Sequence, residues 1–236
     1  MGEIISFVGQ KGGTGKSTLA RAFAVQAAKA GTGVLIADLD EAQRTSWDWG
    51  QRRAANRLVP AIAVEMVPRL HVFTRAADVD VLVVDAQGWA DASTVWLAQG
   101  SQLTVLPTGA SVDDLNPTIR LMHELTDKGL AGWRMALALC RIHSDADAAF
   151  ARDYLKQAGY RALAGELREK KAFADLQNLG RAITEGPAAL SREAFDLVEA
   201  IAAALDRAQK KEKALEREAK GPARLVRTSE KDREDR

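Results

Sequence analysis

Gly9-Gln10-Lys11-Gly12-Gly13-Thr14-Gly15-Lys16-Ser17-Thr18 decides how this chain is read. The string follows directly on Ile4-Ile5-Ser6-Phe7-Val8, a run that predicts a buried strand. It opens an alanine-rich stretch over 16–30 that predicts a helix ending near Gly31. Strand, glycine loop and helix N-terminus in that order make a phosphate cradle. Glycines let backbone N–H groups point inward, and the helix adds its positive end. In such a loop Gly12, Gly13, Thr14, Gly15 and Thr18 line the cradle, Lys16 reaches the β- and γ-phosphates, and the Ser17 hydroxyl ligates Mg²⁺. The strict pattern asks for glycine where Gln10 stands, and Lys11 adds a second lysine five residues before the usual one. A glycine-rich turn with chance lysines is the competing reading.

Outward from the loop, short aliphatic runs alternate with helical stretches. Val34–Ala37, Val81–Val84, Leu103–Leu106 and Met135–Leu139 predict four more strands, with a shorter one around Ile62–Met66. Helical patterns fall at about 91–99, 113–128, 146–158, 170–179 and 191–213, and region 50–80 predicts a helix, the short strand and a connection. Strands apolar on both faces and separated by helices imply an α/β fold, a parallel β-sheet flanked by helices on both faces.

The chain has 236 residues with 33 Lys+Arg against 32 Asp+Glu, and a net charge of +1 argues against a protein coated in basic residues. The charges are unevenly placed. Residues 207–236 carry 11 Lys+Arg and 7 Asp+Glu, a net of +4, which leaves −3 on 1–206. The expected organisation is therefore one domain over 1–206, which carries the phosphate loop, and a charged extension over 207–236. KKEKALEREAK continues the last helix into solvent, and the part after Gly221-Pro222 has too little apolar surface to order itself. That tail reads either as solvated chain or as an arm that attracts polyanions or a partner. One cysteine, Cys140, excludes a disulfide framework and a Cys-based zinc or iron–sulfur site within one chain. No apolar run approaches a membrane span and the N-terminus is not a signal peptide, so a cytoplasmic protein is expected.

Lys11-Gly-Gly-Thr-Gly-Lys16-Ser17-Thr18 resembles the deviant Walker A motif of the ParA/MinD ATPases, and the resemblance extends over about 1–190. It implies a P-loop NTPase fold and an ATP-dependent homodimer in which Lys11 crosses to the phosphates bound by the other subunit. A magnesium–nucleotide site also needs carboxylates at strand ends. Asp38 and Asp40, two apart, point the same way from an extended segment, and Asp85 ends the strand at 81–84. Asp40-Glu41-Ala42-Gln43 resembles the Asp-Pro-Gln of ParA proteins, with Glu41 for proline and one residue inserted before Gln43. By that resemblance Asp40 orients the attacking water and Asp38 supports the magnesium shell. Val-Val-Asp85-Ala-Gln-Gly88 resembles Walker B with its switch glycine, without the family's common Thr-Pro-Pro. It implies Mg²⁺ binding by Asp85 through water and γ-phosphate sensing by the Gly88 N–H. The departure at Glu41 bears on hydrolysis rate, and slow turnover is expected because no residue is an obvious strong base.

Leu106-Pro107-Thr108 matches a segment that flanks the nucleotide and the dimer interface in the family, and Cys140-Arg141 stands where relatives carry adenine-contacting residues. Pro107 and Arg141 are thus nucleotide-site candidates; Cys140 is expected in the core. The segment from Leu167 to Phe173 matches by position the family's arginine-containing DNA loop, so Arg168, Lys170 and Lys171, followed by Arg181 and Arg192, are candidates for nonspecific DNA binding. The competing reading is a solvated helical face. Trp47 and Trp49 are expected to pack the preceding loop on the body, with a partner-facing patch as the alternative; His71, His123 and His143 lack metal-ligand spacing.

The resemblance implies an ATP-dependent DNA-partitioning ATPase of the small ParA class. ATP makes a sandwich dimer that holds nonspecific DNA, and a ParB-like partner stimulates hydrolysis and release. An ATP-switched adaptor that recruits or positions a conjugation complex or other cargo shares every motif. A MinD-like membrane-cycling positioner ends in an amphipathic helix with bulky apolar residues, which 207–236 lacks.

Overall fold

The computed structural model describes residues 2–88 and 92–219. The elements follow in order: β1 (Glu3–Phe7), α1 (Lys16–Lys29), β2 (Val34–Asp38), α2 (Thr45–Ala55), β3 (Ala63–Met66), β4 (Val81–Asp85), α3 (Ala92–Gly100), β5 (Leu103–Thr108), α4 (Val112–Asp127), β6 (Met135–Ile142), α5 (Asp145–Gln157), β7 (Leu167–Arg168), α6 (Lys171–Asn178) and α7 (Ala188–Ala219). A 3-10 stretch at Arg69–Ala77 fills most of the connection from β3 to β4.

Seven strands form one sheet in the order β3-β2-β4-β1-β5-β6-β7, with every described pairing parallel. The expected α/β architecture is found. β7 is an addition to the expected strands: Leu167 and Arg168 pair with Cys140 and Ile142 on β6. Two residues are too few to show a period, so only the tertiary pairing defines that strand.

Alternation along the central strands explains the layering. Ile5 and Phe7 face one cluster with α1 and α7, whereas Ile4 and Val8 face the other with α3, α4 and α5. α1 is buried continuously from Leu19 to Val25 because it lies between the sheet and α7. α7 buries Ala194, Leu197, Val198, Ile201, Ala204, Leu205 and Ala208, a three-and-four spacing that makes one apolar stripe. It runs unbroken through 206 and 207, and its side chains are exposed from Lys213 to Ala219. The expectations for the chain after Gly221-Pro222 fall outside the described residues.

The topology places the loop after β1 at the carboxyl edge of the sheet, between α1 on one face and α3 and α4 on the other. The register aligns Phe7 with Asp85 and Asp85 with Asp38, so both aspartates end level with the loop.

Candidate nucleotide site

Gly15 is the N-cap of α1, at φ 105°, and no side chain caps the helix. Its first N–H groups therefore remain open to an anion. A Cβ on Gly15 would lie 3.2 Å from Cys140 Sγ and 3.3 Å from Cys140 Cβ, so β6 closes the underside of the loop. Gly13, at φ 76°, and Gly12 both face open space. Lys16 folds back over the loop and donates to the Lys11 carbonyl at 3.1 Å. Burial lowers the pKa of this lysine, against the pull of Asp85 and Asp40. Gly88 closes the top, where a Cβ would come within 3.1 Å of Lys16 Nζ and 3.4 Å of the Gly12 nitrogen.

Beside the loop lies a hydroxyl–carboxylate cluster. The Ser17 hydroxyl donates to Asp85 Oδ1 at 3.1 Å, and the Ser46 hydroxyl donates to Oδ2 at 2.6 Å. Ser17 also meets the Thr45 hydroxyl at 3.1 Å. Burial pushes the Asp85 carboxyl up to about 6, opposed by Arg21 and by the two serine hydroxyls. Arg21 itself is buried, and its Nε donates to Ser46 Oγ at 3.0 Å.

Asp38 is fully buried, and its carboxylate is taken up by the backbone. Oδ1 accepts from Asp40 N at 3.0 Å, and Oδ2 accepts from Ser46 N and Trp47 N at 2.9 and 3.0 Å. It ties the turn after β2 to the start of α2, and it does not line the cavity. Asp40 does line it, with Oδ1 accepting from Gln43 N at 2.9 Å. Trp49 is buried, donates from Nε1 to the Arg181 carbonyl and has both the Arg21 and Arg53 guanidinium groups over its ring; Trp47 is half-buried.

The cavity above the loop has a volume of about 470 Å³. Its phosphate end is formed by Gly12, Gly13, Gly15, Lys16, Ser17 and Thr18 with Asp40, Thr45, Asp85 and Gly88. Away from the loop it is lined by Arg141, Arg168, Glu169, Lys170 and Phe173 among others, and Gln177 joins that wall to α1. Arg141 sits at φ 56° and donates to Glu169 Oε2 at 3.3 Å. Arg168 pairs with Asp145 and Glu193, and Lys170 pairs with Glu193 at 2.9 Å over the Phe173 ring. Arg168 and Lys170 thus join the wall of the loop's own cavity. Lys171, Arg181 and Arg192 are exposed, do not line the cavity and make no ion pair among the described residues. Thr14, buried and 3.4 Å from the Lys11 carbonyl, and Pro107, buried in β5 beside Gly9, support the loop from outside the cavity.

Lys11 also lies outside the cavity. Its ammonium pairs with Asp114 Oδ1 at 2.5 Å on the first turn of α4, with the lysine side chain 47% exposed. The sequence does not single out several residues that line the cavity, among them Arg21, Thr45, Glu169 and Gln177. Thr45-Ser46 could have been suspected as a hydroxyl pair near a helix start. Nothing local marks Glu169 or Gln177.

The family model described as the CobQ/CobB/MinD/ParA nucleotide binding domain matches residues 5–226. No curated protein sequence matches the chain. Among solved structures, the fold is similar to a ParA family ATPase from Chlorobium tepidum (TM-score 0.66, 16% identity, 84% of this chain and 99% of that one). It is similar to apo McdA from Cyanothece (TM-score 0.68, 14% identity, 85% and 100%). It is also similar to MinD of Pyrococcus horikoshii complexed with Mg-ADP (TM-score 0.62, 16% identity, 85% and 96%). At these identities the likeness is one of fold.

Proposed function

The chain belongs to the CobQ/CobB/MinD/ParA nucleotide-binding family, and on that premise we propose that it is a slow, Mg²⁺-dependent ATPase whose ATP-bound state is a dimer that holds nonspecific DNA until a partner stimulates hydrolysis. The observation that carries the nucleotide part is the pairing of an uncapped glycine cradle at the start of α1 with the Ser17–Asp85 hydrogen bond at its base.

The donors fit a hard divalent cation: a hydroxyl and a buried carboxylate, with the Thr45 hydroxyl alongside. Ser17 and Asp85 would hold Mg²⁺, which when bound neutralises charge on the β- and γ-phosphates. The loop N–H groups and Lys16 bind the phosphate chain. Filling the cradle frees the Lys16 ammonium from the Lys11 carbonyl, because a phosphate oxygen is the stronger acceptor for a cation. Gly88, which packs against Lys16 and Gly12, would offer its N–H to the terminal phosphate. Asp40, at the cavity edge, orients the attacking water. Asp38 holds the turn that carries Asp40, as a positioning residue.

Lys11 supports the two-subunit reading. In its own chain it is exposed, outside the cavity and paired with Asp114, and on leaving that partner it would reach phosphates on a facing copy, where a cation stabilises the developing charge. For DNA, the exposed Lys171, Arg181 and Arg192 are the better-supported contacts, because Arg168 and Lys170 are already compensated by acids. Turnover of ATP by the wild-type chain, lost in Lys16→Ala, together with DNA retention that needs ATP, tests this reading. DNA binding that ignores nucleotide counts against it.

A further inference from the structure

Gln177, on α6, reaches the cavity wall between the first turns of α1 and the far end of the pocket. Its Oε1 accepts from Arg21 NH1 at 2.9 Å and from the Thr18 hydroxyl at 3.4 Å. A guanidinium can only donate, so the oxygen of the carboxamide must face Arg21. Arg21 cannot turn away cheaply: it is buried, and its Nε is held by Ser46. The amide is therefore fixed in one of its two orientations, and Nε2, with two N–H donors, is the group left on the other side. Among the described residues Nε2 has no hydrogen-bond partner.

The position of Gln177 says what those donors meet. The phosphate end of the cavity is set by the loop and Ser17, and Thr18 is one residue further along α1. With phosphates seated in the loop, a side chain bonded to Thr18 would lie beyond the terminal ones, beside the part of the nucleotide that joins phosphate to sugar.

We propose that Gln177 is a nucleotide-positioning residue, and that its Nε2 donates to an oxygen of the ribose or α-phosphate of the bound nucleoside triphosphate. This rests on the nucleotide reading of the same cavity. It also gives α6 a direct bond to bound nucleotide, because the carboxamide is fastened to α1 on one side and to the ligand on the other. The helix that begins with the exposed Lys171 would then be seated by ATP.

Gln177→Glu separates this role from a structural one. The substitution is isosteric and keeps the acceptor for Arg21 and Thr18, but it replaces the amide donor with oxygen. Mg-ATP binding by calorimetry is expected to weaken about 10-fold or more, while the melting temperature of the free protein stays within a few degrees of wild type. Gln177→Met, neutral and of similar length, separates the lost donor from the added charge. It too is expected to weaken ATP, and the ratio to wild type should persist at ~0.5 M salt, where long-range repulsion is screened. With 2′,3′-dideoxy-ATP, weaker wild-type binding assigns the acceptor to the ribose and unchanged binding assigns it to the α-phosphate; either supports the role. Wild-type affinity in both variants, with ATP binding otherwise intact, overturns it. A wild-type chain that binds no ATP overturns the nucleotide reading beneath it.

Discussion

Lys11 Nζ lies 2.5 Å from Asp114 Oδ1, so the lysine that distinguishes this loop is held against α4 and away from its own cradle. Burial works against the Asp114 carboxylate, but bonds from Lys11 and Ser111 hold its pKa below the usual value. The pair is therefore present across neutral pH. On the proposed role in a second subunit, Lys11 must leave this partner, and the ion pair would then compete with dimer formation.

Asp114→Asn removes that competition. Its effect on stability should be small, about 1 kcal/mol or less, because one partner is well exposed. The ATP-dependent dimer should form at lower protein concentration than for wild type, as read by sedimentation. Lys11→Ala should keep ATP binding but lower turnover by at least ~10²-fold. Unchanged dimerisation in both variants would sink the trans role of Lys11.

Glycine substitutions should separate fold from function within the loop. A Cβ added at Gly12 would meet nothing within 4 Å, and the residue has no positive φ, so Gly12→Ala should fold normally and yet lose ATP affinity by filling the cradle. Gly15→Ala meets Cys140 at 3.2 Å and is strained at φ 105°, so it should destabilise the fold itself, by ~1–3 kcal/mol. Equal melting temperatures for the two variants would contradict this geometry.

Much of this was legible locally. The loop, its strand and its helix are contiguous, and Asp85 ends a strand, so short-range pattern was enough. Thr45, Glu169 and Gln177 were not legible, because separate elements bring them to the loop: α2 by the backbone bonds of Asp38, and α6 by Arg21 and Thr18. Arg168 and Lys170 show the same limit. They read as free surface charge until β7 pairs with β6 and turns them toward the cavity, beside the acids Asp145 and Glu193 from distant segments.

Arg53 and Glu185 join α2 to the turn before α7 through bonds of 2.7 and 3.0 Å, with the arginine side chain 1% exposed. Breaking one side of a buried pair strands the other charge. Arg53→Ala should therefore cost about 3–5 kcal/mol in chemical denaturation. The double variant Arg53→Ala with Glu185→Ala should cost less than the two single losses added together. Strict additivity would show that the pair is not coupled.

Burial pushes the Cys140 thiol up to about 12, so at pH 8 the reactive thiolate is all but absent. Iodoacetamide should leave the folded chain unmodified at pH 8 and label it fully in denaturant. Rapid labelling of the native protein would place Cys140 outside the packed floor of the loop.

The exposed cations predict a salt-dependent contact. Neutralising Lys171, Arg181 and Arg192 together should weaken ATP-dependent DNA retention at fixed salt and flatten its salt dependence. Loss only on removal of 207–236 would move the DNA contact to that segment.

The central claim is a dimer gated by ATP, and Asp40→Ala is the variant in which to look for it, because on the role proposed for Asp40 its loss would slow hydrolysis and hold the bound state. Its mass should be measured by sedimentation with Mg-ATP and with Mg-ADP. Twice the 25.5 kDa of one chain with ATP, and one chain with ADP, is the predicted result. A single chain in both nucleotides, at concentrations where ATP is shown to be bound, would contradict it.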